Sequence, residues 1–100
     1  MGGVALRRVL KYTIPRESLH QPVNVPMAPG AQVLSVAVES MRPILYAVGD
    51  GEATEPRWFQ ALWTRDPWPD GARFVGTVRM AGPDGHVVWH VVELPDQNKE

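Results

Sequence analysis

The residues best suited to molecular recognition lie close together, between positions 63 and 73. This stretch contains two tryptophans, two arginines and two aspartates, namely Trp63, Arg65, Asp66, Trp68, Asp70 and Arg73. Trp and Arg are the residue types most enriched at binding hot spots, and long irregular loops on small β-scaffolds often carry recognition. We therefore expect these six residues to form a binding site. In the alternative interpretation, Trp68 folds back and covers the open end of a sheet.

The two aspartates of this stretch also raise the question of catalysis. Asp66 and Asp70 flank Pro67-Trp68-Pro69, and paired carboxylates beside a tryptophan resemble a glycosidase site superficially. The turn interpretation is stronger, because Asp before Pro caps turns and Asp70-Gly71 is a common turn pair. Since the chain also lacks a Gly-x-Ser-x-Gly motif and a Gly-rich phosphate loop, we predict no catalytic residues and no enzyme activity.

Metal binding is the other chemistry to consider, since His86 and His90 are four residues apart. Both lie in a predicted strand, where four residues span roughly 13 Å. Two imidazoles at that separation cannot share one zinc ion, whose Zn–N distances are about 2.0–2.1 Å. The chain has no cysteine, which excludes disulfides and thiolate-bound metals. We predict neither a metal site nor a cofactor.

The elements that must position these residues are short apolar runs, each closed by proline or glycine. They are rich in β-branched and aromatic residues, as strands are. The five clearest runs are 33–38, 44–48, 58–63, 74–78 and 87–92. Residues 8–14 add a further strand, and the prolines around 22–27 confine that segment to an edge. Since no amphipathic helix exceeds about two turns, we predict an all-β fold: a single small antiparallel sandwich or rolled barrel of about seven strands.

Several details of this fold follow from the local pattern. Leu34, Val36 and Val38 alternate with smaller or polar residues, which predicts that all three face inward. Residues 44–48 and 58–63 are apolar enough for central strands. Residues 28–31 predict a tight turn, and residues 82–85 a four-residue hairpin loop. Because sequential strands tend to pair, we expect a meander for most of the chain.

Composition limits the domain organisation and the class of partner. One hundred residues predict a single domain, 1–100, with an ordered core of about 8–94 and frayed ends at 1–5 and 95–100. The net charge of −1 makes nucleic acid an unlikely partner. Neither a membrane span nor a signal peptide is recognisable. A stripe of arginines at positions 57, 65, 73 and 79 would suit an anionic partner, unless nearby acids neutralise it.

A set of short motifs, in order along the chain, resembles a small protein family that occurs in actinobacterial phages and prophages and is described only as a domain of unknown function. The motifs lie between residues 11 and 94: Lys11-Tyr12-Thr13-Ile14-Pro15, Met27 with Gly30-Ala31, Val33-Leu34-Ser35-Val36, Leu45-Tyr46-Ala47, Phe74-Val75-Gly76-Thr77 and Trp89-His90-Val91-Val92-Glu93. Many relatives look like Thr-Gly-His-Pro where this chain has Thr64-Arg65-Asp66-Pro67. The resemblance implies a β fold and a phage context without an activity.

We therefore expect a non-enzymatic, phage-encoded accessory protein that binds a host or phage protein in the host cytoplasm. An inhibitor of a host defence system is one concrete form of this role. Two alternatives remain open: a structural or accessory component of the virion, in the capsid or tail, and a sponge for a small anionic ligand such as a nucleotide. Exposed sheet edges would also allow a homodimer to form.

Overall fold

The computed structural model describes residues 6–82 and 85–97, and these residues form seven strands and a short 3-10 helix. The 3-10 helix spans Arg16–Leu19. In chain order the strands are β1 (Arg8–Thr13), β2 (Val23–Asn24), β3 (Gln32–Glu39), β4 (Arg42–Gly49), β5 (Trp58–Trp63), β6 (Arg73–Gly82) and β7 (Gly85–Leu94). No helix in this part of the chain is long and apolar enough to cross a membrane.

The strands form two antiparallel sheets, which confirms the predicted all-β fold and corresponds to its sandwich form, one of the two forms predicted. One sheet has the order β1-β4-β3 and the other has the order β2-β5-β7-β6. The predicted meander is wrong, because among consecutive strands only β3–β4 and β6–β7 are paired within the described residues. The chain instead changes sheets after β1, after β2 and after β4. Each change places an apolar strand face opposite the other sheet, where it can be buried.

The core lies between the two sheets. Leu45 and Ala47 of β4 face it from the smaller sheet, and Phe59 of β5 and Val91 of β7 face it from the larger one; all four are fully buried. Strands β4 and β5 both lie inside their sheets, as their apolar sequences predicted. The short strand β2 lies at an edge, as its flanking prolines predicted.

The inward orientation predicted for Leu34 is wrong, whereas Val36 and Val38 do pack against the core. The pairing of β3 with β4 passes from Val33 directly to Ser35, so Leu34 lies in a β-bulge. A bulge inserts one residue without a partner and thereby resets the alternation of the strand. Val33 therefore faces the core in place of Leu34, whose side chain is 50% exposed.

The turns were predicted with mixed success. The N–H of Ala31 donates to the carbonyl oxygen of Ala28 at 3.0 Å, and Gly30 has φ of +67°, which confirms the tight turn at 28–31. The predicted four-residue hairpin loop is too long, because the β6–β7 pairing extends to Gly82 and Gly85. Residues 83 and 84 lie outside the described residues, as do the predicted frayed end 1–5 and residues 98–100 of the predicted frayed end 95–100.

The two sheets approach each other closely where Gly76 of β6 meets Val36 of β3. A Cβ atom added to Gly76 would lie 2.7 Å from Cγ1 of Val36. Real Cβ atoms are not found at that distance, and the branched Val36 side chain has little rotamer freedom to move away. Glycine at position 76 therefore permits the spacing between β3 and β6.

We predict that Gly76→Ala lowers the free energy of unfolding by about 1–3 kcal/mol, because the added methyl group overpacks this contact. Urea denaturation measures the loss. In a Val36→Ala background the same substitution should cost clearly less, since the clashing methyl group is then absent. Equal costs in the two backgrounds would show that contact with Val36 is not the cause.

Candidate functional site

The β5–β6 loop, residues 64–72, forms one wall of a cleft of about 180 Å³. The cleft, called the loop cleft below, is lined by Leu62, Trp63, Thr64, Arg65, Asp66, Trp68 and His90. Four of the six residues predicted from the sequence therefore meet in one place: Trp63, Arg65, Asp66 and Trp68.

A tight turn fixes the entrance of the loop. The backbone N–H of Asp66 donates to the carbonyl oxygen of Trp63 at 3.0 Å. In return, Oδ2 of Asp66 accepts from the N–H of Trp63 at 2.9 Å. Arg65, between them, has φ of +83°, a conformation that costs a non-glycine residue about 1–3 kcal/mol and must be maintained by its surroundings. The Asp66 carboxylate thus forms a turn, as its position before Pro67 predicted.

The two tryptophans of the loop cleft are held differently. The ring of Trp63 packs edge to face with that of Trp89, with ring centroids 5.9 Å apart and an interplanar angle of 89°. This contact anchors Trp63 at the end of β5, although 40% of its surface stays exposed. Trp68 lines the cleft and is 55% exposed. It therefore offers a large apolar surface to the solvent.

His90 also lines the loop cleft, although the sequence analysis did not include it among the predicted binding residues. Its Nε2 lies 3.0 Å from Oγ1 of Thr64, and its Nδ1 lies 2.9 Å from Oγ1 of Thr77. A threonine hydroxyl can donate or accept, so both ring nitrogens have partners whichever tautomer is present. No local sequence signal placed His90 there, because its position depends on the cross-strand pairing with Leu62.

Asp70 and Arg73 do not line the loop cleft. Asp70 precedes Gly71, whose φ is +73°, and the N–H of Ala72 donates to the carbonyl oxygen of Pro69 at 3.2 Å. This is the turn that the Asp-Gly pair predicted. Arg73 is the first residue of β6 and lines a different cleft, near Arg57. The predicted six-residue site is thus divided between two places.

Arg57 has a structural role that separates it from the predicted arginine stripe. Its Nε and Nη2 donate to the two carboxylate oxygens of Glu93 at 2.5 and 2.9 Å, and its Nη1 donates to the carbonyl oxygen of Ala31 at 2.7 Å. Both charged side chains are only 14% exposed. The hydrogen bond to Glu93 raises the pKa of Arg57 above its ordinary value. Arg57 therefore joins β7 to the segment that leads into β3.

The two histidines predicted not to bind metal both lie on β7, His86 near its start and His90 near its middle. His86 is exposed, and His90 is held by the two threonines. Among residues 6–82 and 85–97, no group of three or more His, Cys, Asp or Glu side chains is placed to hold a metal ion.

We predict that Arg57→Met lowers the free energy of unfolding by about 2–3 kcal/mol, somewhat less than the loss for a fully buried pair. The reason is that Glu93 keeps its charge and loses its partner. Urea denaturation measures the effect, and adding Glu93→Gln should recover part of it. Lys11→Met is the matched control, because the Lys11–Glu39 pair is half-exposed on both sides and should contribute much less. Equal losses of unfolding free energy for Arg57→Met and Lys11→Met would contradict the structural role of Arg57.

We also predict that Asp66→Ala loosens the entrance of the loop, with a stability loss of about 1 kcal/mol. Hydrogen exchange should show faster exchange of the Trp63 amide, which loses its acceptor. Asp66→Asn retains a side-chain oxygen and should preserve most of the protection. Asp70→Ala provides the control in the same loop. If it accelerates exchange at Trp63 as much as Asp66→Ala does, the Asp66 carboxylate is not the restraint.

The comparisons with known proteins identify a family but no activity. No curated protein and no solved structure matches the chain. One family, described as "Domain of unknown function (DUF7352)", matches residues 6–100. That match includes both sheets, the loop cleft and the Arg57–Glu93 pair. The chain therefore belongs to the family of domains of unknown function DUF7352.

Proposed function

We propose that this chain is a non-enzymatic, phage-encoded accessory protein that acts by binding another protein through the loop cleft. The observation that carries the proposal is the grouping of two half-exposed tryptophans and Arg65 around a cleft of about 180 Å³. The phage context rests on the motif resemblance described above.

The residue types of the loop cleft favour a protein partner. Trp and Arg dominate the binding energy of many interfaces, and one buried tryptophan removes about 150–250 Å² from water. Trp63 and Trp68 still expose 40% and 55% of their surfaces, so a partner has apolar area left to cover. The cleft between them would take one apolar side chain of the partner, with Arg65 at its rim to meet an acceptor group.

The loop cleft is also restrained before any partner binds. The Asp66 carboxylate closes the turn at the loop entrance. The hydrogen bond between Thr64 and His90 connects the first residue of the loop to β7. A restrained loop loses less conformational entropy on binding, which favours affinity. This arrangement supports recognition by a preformed surface.

The partner is expected to be a host or phage protein in the host cytoplasm. A component of a host defence system is the concrete version of this proposal, in which the chain acts as an inhibitor by covering the component's surface. A place in the virion, as a capsid or tail component, is the second candidate role. Mass spectrometry of purified particles separates the two, because a virion component is present there in stoichiometric amount.

We predict that the tagged protein captures a specific partner from an actinobacterial host lysate, and that Trp68→Ala and Arg65→Ala each reduce capture by at least about tenfold, as expected for hot-spot residues. Quantitative mass spectrometry of the bound fraction measures this. Met41→Ala is the matched control, because Met41 is also an exposed apolar residue, at 51%, and lies outside the loop cleft. It should capture as much as the unchanged protein.

Two results would contradict the proposal. Failure of the unchanged protein to capture any partner from either uninfected or infected lysate would remove the accessory-binding role. Capture that survives both loop-cleft substitutions would show that binding occurs elsewhere on the surface.

A further inference from the structure

A second cleft, of about 370 Å³, opens between the sheets where edge strand β3 runs beside edge strand β6. We call it the inter-sheet cleft. The residues that matter for its chemistry are Leu34, Arg57, Arg73, Phe74 and Glu93. It shares no lining residue with the loop cleft, so what it binds is independent of the protein-binding role.

Two β-bulges shape the inter-sheet cleft, one from each sheet. The β3–β4 pairing skips Leu34, and the β6–β7 pairing skips Val75, which follows Phe74. Bulges redirect side chains and are enriched at sheet edges and beside functional sites. Here Leu34 is 50% exposed and Phe74 is 55% exposed, so two apolar side chains stand at the cleft instead of in the core.

The charges of the inter-sheet cleft do not cancel. Arg57 and Glu93 form a pair in which both carboxylate oxygens accept from the guanidinium. Arg73, which faces Glu93 across the β6–β7 pairing, makes no ion pair among the described residues. The residues that line the cleft therefore carry one positive charge in excess, on a planar group that recognises carboxylates and phosphates through two parallel hydrogen bonds.

We propose that the inter-sheet cleft binds a small organic anion that carries one phosphate or carboxylate group on a flat ring. The anionic group pairs with the Arg73 guanidinium, and the ring packs against Phe74 and Leu34. The lining of the cleft is more polar than apolar, and a few well-placed polar and charged groups are what orient a small molecule in its site. The volume of about 370 Å³ suits a ligand of nucleotide size.

The competing explanation is that Arg73 only neutralises Glu93. Arg57 already satisfies both oxygens of that carboxylate and also holds Ala31, so Glu93 has its structural partner without Arg73. The competing explanation also leaves the exposure of Phe74 and Leu34 unaccounted for. A single occupant with an anionic group and an apolar ring accounts for all three side chains.

Thermal unfolding in the presence of defined probes tests the proposal. Adenosine monophosphate represents a phosphate on a ring, and indole acetate represents a carboxylate on a ring. At least one of them should raise Tm by about 5–10 °C at tenfold excess over its Kd, with the rise increasing with concentration. Adenosine lacks the anionic group and inorganic phosphate lacks the ring, so each should give a much smaller rise. The probe that binds identifies which anionic group the cleft prefers.

Variants locate the binding. Arg73→Gln should raise the Kd of the active probe by at least about tenfold, since a charge-assisted pair is lost, and Phe74→Ala should weaken binding without affecting inorganic phosphate. Arg79→Gln is the matched control, an exposed arginine of the same strand, roughly 20 Å along β6 from Arg73, and it should bind as the unchanged protein does. No rise in Tm with either ring-bearing anion, or equal losses for Arg73→Gln and Arg79→Gln, would overturn the proposal.

Discussion

The structure depends on the burial of one apolar face from each of two small sheets. Neither a three-stranded nor a four-stranded sheet can shield such a face alone, so each serves as the cover of the other. Phe59 and Leu45 are fully buried where the faces meet, and Gly76 lets the strands approach closely at one corner. Arg57 adds a polar restraint near the margin by joining Glu93 of β7 to the backbone of Ala31.

This arrangement also explains where recognition residues can lie. Because the inner faces are filled by the core, the two proposed binding sites lie outside it, on the β5–β6 loop and at the corner between β3 and β6. At the loop, Asp66 restrains the turn that presents Trp63 and Trp68. At the corner, two bulges turn Leu34 and Phe74 away from the core. The two clefts thus arise from different local departures from regular sheet geometry.

Sequence analysis succeeded where a structure is governed by neighbouring residues. The turn at 28–31 was predictable because glycine tolerates the positive φ that the turn requires. Asp66 was predictable as a turn residue because its carboxylate reaches a backbone N–H three residues away. The grouping of Trp63, Arg65, Asp66 and Trp68 was predictable for the same reason, since they are within six residues of one another. The addition of His90 was not, because it depends on the pairing of β5 with β7.

The sequence by itself determined the strand-rich character of the chain, its all-β class and its tight turns, because periodicity, β-branching and turn residues act over a few neighbouring positions. The tertiary structure decided which side of β3 Leu34 faces, since a bulge changes the alternation only once the strand is paired with β4. It also separated Arg73 from the tryptophans and placed it beside Arg57, 16 positions earlier in the chain. Contacts between distant segments follow from sheet order and register, and these depend on how the whole core packs.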